Sequence, residues 1–280
     1  MHPAHAAHTA LTVTAAEDGV SVQELLSRRL RLSRRAAKAL LDARAVWVNR
    51  QRVWMTRHAL RRGDIVEAPA APSAAPPPHL RVLVEDARYL FVDKPAGLLA
   101  VGEGSAEEVL RGQLGAPGMR AVHRLDRDTS GCLLFARDAA AFEAAVALFR
   151  TRRVVKVYHA VCLGRVTARA STIRLPVEGE PAVTHLRLLS ARDEASYVAL
   201  RIETGRTHQI RLHLASVRHP VLGDRQYGPK FLRDERLRDV PRQMLHATDL
   251  ELPHPLGSGR LRAHSPLPAD FRRCLRVFGL

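Results

Sequence analysis

The chain has 280 residues, 46% hydrophobic, 26% charged and 5% aromatic, a balance that suits one large or two smaller folded domains and excludes a disordered chain. Its 44 Lys and Arg against 28 Asp and Glu give a formal charge of +16, which points to a polyanionic partner, although Ala- and Arg-rich usage raises the same number without one. No apolar run nears the roughly 20 residues of a membrane span, and Cys132, Cys162 and Cys274 stand singly, which excludes a zinc ribbon or a disulfide framework and suits a reducing cytoplasm.

The opening MHPAHAAHTA lacks the basic start and apolar core of a secretory signal, so residues 1–18 are expected to form a flexible tail. In residues 19–68, Val22, Leu25, Leu26 and Leu30 share one helical face. Ser33 stands where an N-cap belongs, ahead of a second stripe of Ala36, Ala37, Leu40 and Leu41. Arg34, Arg35 and Lys38 then face outward. VWVNRQRV alternates like a strand and turns near Asn49 to Gln51, and Gly63-Asp64 leads into a last strand. Taken alone, the three cations would be an ordinary solvated helix face.

In their order, LSRRAAKALL, VWVNRQRV and RGDIV resemble the small RNA-binding domain first known from ribosomal protein S-four. The resemblance implies that residues 19–68 are an RNA-binding module and that Arg34, Arg35 and Lys38 meet RNA. Residues 69–80, dominated by Pro and Ala, read as a semi-stiff linker.

Residues 81–280 are strand-rich: VLVEDARYLFVDKP, CLLFARD, KVYHAVCLGRV, HLRLLSARDEASYVALRIE and HQIRLHL alternate or run apolar. One helix stands out, over AAAFEAAVALFRTRR. Many strands and few helices predict an α+β domain on a mainly antiparallel mixed sheet, preceded by the small α/β module.

His123-Arg124-Leu125-Asp126-Arg127-Asp128-Thr129-Ser130-Gly131 lies just before the apolar strand CLLFA, which places its polar groups at a strand mouth. A carboxylate between two arginines stays ionised and suits nucleophilic or electrostatic work better than proton donation, although such neighbours also make plain structural ion pairs. The whole string closely resembles the active-site signature of the RluA-type RNA pseudouridine synthases. Asp93-Lys94-Pro95-Ala96-Gly97-Leu98 precedes it, and KVYHAV, GRTHQIRLHLA, GDRQYG, LHATDLELPHP and SPLPADF follow in the family's order.

That resemblance implies isomerisation of uridine in RNA, ribosomal RNA being favoured and transfer RNA the alternative, by a cytoplasmic, monomeric enzyme that needs no cofactor or metal. It makes Asp126 the nucleophile, Tyr158 the aromatic group against the flipped base, and Arg211 the basic partner of Asp126, with Arg206 the alternative partner. His123, Arg124, Arg206, Thr207 and His208 become candidates for RNA contact or loop positioning. Whether Asp126 attacks ribose or base stays open. His208 and His213 invite a metal reading, but on a strand they face opposite ways and no HExxH or Cys/His cluster completes a ligand set. A deaminase would need a zinc motif that is missing, a glycosylase would release free base, and a non-catalytic RNA binder would have no use for Asp126, Tyr158 and Arg211 together.

Overall fold

The computed structural model of the protein describes residues 8–30, 32–69 and 79–280, and the chain divides into two compact units, Met1–Pro78 and His79–Leu280. In the first unit the strand β1 (His8–Thr12) is followed by helices α1 (Val22–Arg29) and α2 (Arg34–Asp42), then by strands β2 (Trp47–Val48), β3 (Gln51–Arg52) and β4 (Ile65–Pro69). The sheet order is β1-β4-β2-β3. Ser21 and Ser33 cap the helices, their hydroxyls accepting from the backbone N–H of Glu24 and Ala36. Val22, Leu25, Leu26, Ala37 and Leu41 then join one core with Val46, Val48 and Val66. Asn49 and Arg50 both adopt positive φ, as a two-residue hairpin turn of the favoured hand requires.

Two expectations change here. Residues 8–12 are not tail: Leu11 and Val13 are buried, and β1 lies antiparallel to β4 in register from His8↔Pro69 to Thr12↔Ile65. The pairing joins segments more than fifty residues apart, and no local pattern announces it. The expected linker loses both its ends. Pro69 closes β4, and Leu80 is fully buried with its N–H and C=O bonded to the Gln113 side chain. Tail residues 1–7 and linker residues 70–78 lie outside the described residues.

The second unit runs β5 (Arg81–Glu85), β6 (Tyr89–Lys94), α3 (Ala106–Leu114), β7 (Arg120–Ala121), β8 (Ser130–Ala136), α4 (Ala139–Phe149) and β9 (Val155–Leu163). It continues through β10 (Ala170–Ile173), β11 (Thr184–Ala191), β12 (Ala195–Ile202), α5 (Gln209–Ser216), α6 (Glu235–Arg238), β13 (Leu245–Pro253), β14 (Arg260–His264) and α7 (Ala269–Phe278). The ten strands form one sheet of order β10-β11-β12-β9-β13-β8-β6-β5, with β14 beside β13 and β7 beside β8. Every pairing is antiparallel except β13 with β8. The unit is therefore α+β on a mainly antiparallel mixed sheet.

More helices form than the pattern suggested. In α5, Ile210, Leu212 and Leu214 imitate strand alternation. Burial nevertheless falls on Gln209, Ile210, Arg211, His213 and Leu214, and the Leu212 N–H bonds the His208 carbonyl, as a helix demands. The ends of α3 carry their own signals, Ser105 as N-cap and Gly115 at positive φ as C-cap.

The β8–β13 seam positions the site. Gly131 on β8 faces Ala247 on β13, which faces Tyr158 on β9. Gly131 has φ +119°, and a Cβ there would lie 2.2 Å from the Ala247 carbonyl oxygen. Gly131→Ala is expected to cost at least about 3 kcal/mol, because backbone strain and overpacking add. Urea denaturation of the soluble variant checks this; a midpoint equal to wild type would mean that the seam yields freely.

Candidate active site

Asp126 sits on the turn leading into β8, its side chain 19% exposed. The Arg211 Nη1 donates to Asp126 Oδ2 at 3.1 Å. Arg211 is itself fixed. Its Nε and Nη2 donate to the two oxygens of Asp224 at 2.7 and 2.9 Å, its Nη2 reaches Gln226 at 3.3 Å, and its guanidinium lies 4.9 Å over the Tyr227 ring. Burial works against the charge on Asp224. The Arg211 guanidinium and the N–H groups of Gln226 and Tyr227 outweigh it and hold its carboxyl below the usual carboxylate range. One buried bidentate pair therefore aims a third guanidinium nitrogen at Asp126.

A second arm reaches the same carboxylate. His208, at the N-cap of α5 with φ +55°, places Nε2 3.8 Å from Asp126 Oδ1 while its Nδ1 bonds the Tyr227 hydroxyl at 2.9 Å. Arg206 is not on Asp126: it is exposed and bonds Glu180 at 3.1 Å. Arg124 and Arg127 are exposed and make no ion pair with Asp126 among the described residues. The basic partner is thus distant in sequence, and the flanking arginines are free to face a ligand.

Tyr158 lines the cleft with Asp126, Thr207 and Arg211. Its hydroxyl makes no hydrogen bond among the described residues. Burial, followed by the charge of Asp126, pushes its pKa above the ordinary phenol value, so at neutral pH it is a protonated ring to stack on rather than a ready base. Next to this cleft a second one of about 500 Å³ is lined by Arg124, Asp126, Arg127, Arg225 and Arg242, which makes the mouth of the site strongly cationic.

Of the two parts open to His123, the structure favours loop positioning over RNA contact. Its ring stacks on Phe149 at 5.0 Å and its Nε2 accepts from the Leu134 N–H at 3.1 Å. Burial pulls its pKa down to about 3. A neutral acceptor gives no cation to phosphate; it anchors the catalytic loop to β8. Because the unfolded imidazole titrates near 6.5, the unfolded state binds the extra proton between pH 6.5 and 3, and stability is lost as pH falls through that window. The expected slope from this residue is at most about 1.4 kcal/mol per pH unit. Urea midpoints of wild type and His123→Asn at pH 7 and pH 5 measure it, and equal slopes would remove His123 from the account.

Four positioning residues were not singled out from the sequence. Lys94, fully buried, donates to the carbonyls of Pro95, Leu98 and Arg127, and burial lowers its pKa to about 7. Arg242 clasps Asp270 at 2.6 and 3.0 Å and donates to the Asp128 carbonyl, while Gln243 bonds the Thr129 hydroxyl. Together with Asp224 they hold the loop from both sides. Lys94 and Asp224 fall inside the DKP and GDRQYG strings; Arg242 and Gln243 carry no local signal.

In the first unit, Arg34 and Lys38 are exposed on α2, with Lys38 2.7 Å from Asp42; Arg35 lies outside the residues whose side chains are described. Among the described residues, no group of three or more His, Cys, Asp and Glu side chains is placed to hold a metal ion, and no helix is long and apolar enough to cross a membrane.

The fold of the second unit is that of pseudouridine synthases. Human RNA Pseudouridylate Synthase Domain Containing 4 superposes with a TM-score of 0.61 at 26% identity, covering 71% of this chain and 93% of that one. Human RNA Pseudouridylate Synthase Domain Containing 1 gives 0.59 at 30% identity, covering 72% and 90%. The family model for RNA pseudouridylate synthases matches residues 88–216. Ribosomal large subunit pseudouridine synthase D of Pseudomonas aeruginosa is 34% identical over 69% of this chain and 69% of its own length. An uncharacterised RNA pseudouridine synthase of Mycobacterium bovis is 34% identical over 92% and 94%. The chain belongs to the RNA pseudouridine synthase family.

Proposed function

We propose that the protein isomerises specific uridines of large-subunit ribosomal RNA, with Asp126 as the covalent nucleophile, Arg211 as the group that holds it, and Tyr158 as the platform under the flipped base. The observation that carries the reading is the Asp224–Arg211–Asp126 chain, which places one carboxylate, held by a preorganised guanidinium, in the lining of both the Tyr158 cleft and the adjoining cationic cleft. The ribosomal substrate is supported by the names of relatives 34 to 37% identical, the synthases D of Pseudomonas aeruginosa and Xanthomonas campestris.

The bond from ribose C1′ to N1 breaks, the base turns, and C1′ joins C5. The proton lost at C5 is balanced by one gained at N1, so nothing enters or leaves overall. Asp126 supplies the electron pair that traps the intermediate and later leaves again. Arg211 keeps the carboxylate charged and aimed. Arg124, Arg127, Thr207 and Arg206 surround the mouth where phosphate and ribose would lie.

The first unit, described from His8 to Pro69, is proposed as an RNA-binding module of the ribosomal protein S-four type, with Arg34, Arg35 and Lys38 on phosphates, and the second unit, His79–Leu280, as the catalytic domain. Unmodified transcripts of large-subunit ribosomal RNA and of transfer RNA, tritiated at uridine C5, test the substrate. Tritium release from the ribosomal transcript without free uracil is expected; release confined to transfer RNA, or release of uracil, would contradict the proposal.

A further inference from the structure

The segment after the Arg211 lock carries a side chain that belongs to no core. Phe231 is 92% exposed, against 58% for Met55, the next most exposed large hydrophobic residue among those described. Its surroundings are fixed. The Gly228 N–H bonds the Asp224 carbonyl, Leu232 packs against the core formed with Leu222 and Phe271, and Leu237 of α6 is buried in that same core.

The cations around Phe231 also lack partners. Arg225, Lys230 and Arg233 are exposed and make no hydrogen bond or ion pair among the described residues. In the next turn Arg236 and Arg238 are paired, with Asp234 and Glu235. Arg225 lines the cleft that contains Asp126, so unpaired positive charge continues from the site toward Phe231. The five peptide steps from Gln226 to Phe231 span at most roughly 18 Å, the reach of a few nucleotides.

We propose that Phe231 is a stacking platform for an unpaired base of the substrate RNA beside the target uridine, with Arg225, Lys230 and Arg233 on the flanking phosphates. This rests on the RNA-isomerase reading above and adds a binding element outside the catalytic pocket. The physical case is the pairing of an aromatic ring left in water, next to the core-packed Leu232, with free cations on either side. Every base offers a π-face to such a ring, and the phosphates on each side of that base meet the cations.

The test uses the full chain and an unmodified transcript of large-subunit ribosomal RNA. Phe231→Ala and Phe231→Leu should each weaken RNA binding by roughly tenfold, within the range of one lost base–aromatic stack, with the loss in KM and no change in Tm. In Phe231→Trp, the added indole emission should be quenched by the transcript, beyond any change in wild type.

A Leu variant that binds like wild type would reduce Phe231 to a generic apolar contact and overturn the proposal. So would an Ala variant with unchanged RNA affinity but lost self-association in sedimentation, which would make the face an interface between copies. A wild type that binds through Phe231 yet forms no pseudouridine would sink the isomerase reading and leave this one standing.

Discussion

Asp126→Asn is expected to lower kcat for pseudouridine formation by roughly 10⁴-fold, the scale of losing a nucleophile from a site whose other parts remain. RNA affinity should stay within about threefold, because the amide keeps the shape of the carboxylate and the cationic mouth is untouched. Stability should change little. Arg211 retains both bonds to Asp224 and its place over Tyr227 when Asp126 loses its charge, so no buried cation is stranded. Tritium release under single-turnover conditions reads the first effect, and filter binding the second. Activity above about a hundredth of wild type would remove Asp126 from the nucleophile's role.

Asp224→Ala is expected to lose stability as well as activity. Asp224 has no exposed side-chain surface and neutralises an arginine whose own side chain is 7% exposed. Deleting it leaves a buried guanidinium with only the partly exposed Asp126 to balance it, a change worth about 3–5 kcal/mol in comparable pairs. Catalysis should fall as well, since Arg211 loses the two bonds that orient it. The sign of the pH effect follows from the depressed carboxyl: the pair's contribution is full above the unfolded carboxylate pKa and is lost as pH falls through and below it.

The double variant Asp224→Leu with Arg211→Met separates the two effects. Replacing both charges with apolar groups should recover most of the stability while activity stays lost. If Asp224→Ala unfolds at the wild-type urea midpoint, the lock is ornamental.

The chemistry of the site was more legible than its frame. Asp126, Tyr158 and Arg211 stand in three strings that read in order along the chain, and the structure brings all three to one cleft. Arg211 was reached through mistaken geometry, however. Its segment alternates Ile, Leu and Leu like a strand, and the buried Gln209 and His213 that make it a helix are polar, so hydrophobic periodicity alone could not reveal their burial. Gln209 is satisfied by Val183 and Thr184, and His213 by Thr184 and the Leu175 carbonyl, residues far off in sequence. The same limit hid Lys94, Arg242 and Asp224, charged groups whose burial depends on carbonyls and counter-ions that only the fold brings to them. For His123 the sequence left phosphate contact and loop positioning both open, and only its stacking on Phe149 and its bond from Leu134 favour the neutral anchor.

Pseudouridine mapping at nucleotide resolution, on total RNA from cells lacking the gene and complemented with wild type or Asp126→Asn, tests the central claim most directly. The account predicts that particular sites in large-subunit ribosomal RNA vanish without the gene, return with wild type, and stay absent with the variant. Unchanged ribosomal sites, or full restoration by Asp126→Asn, would contradict it.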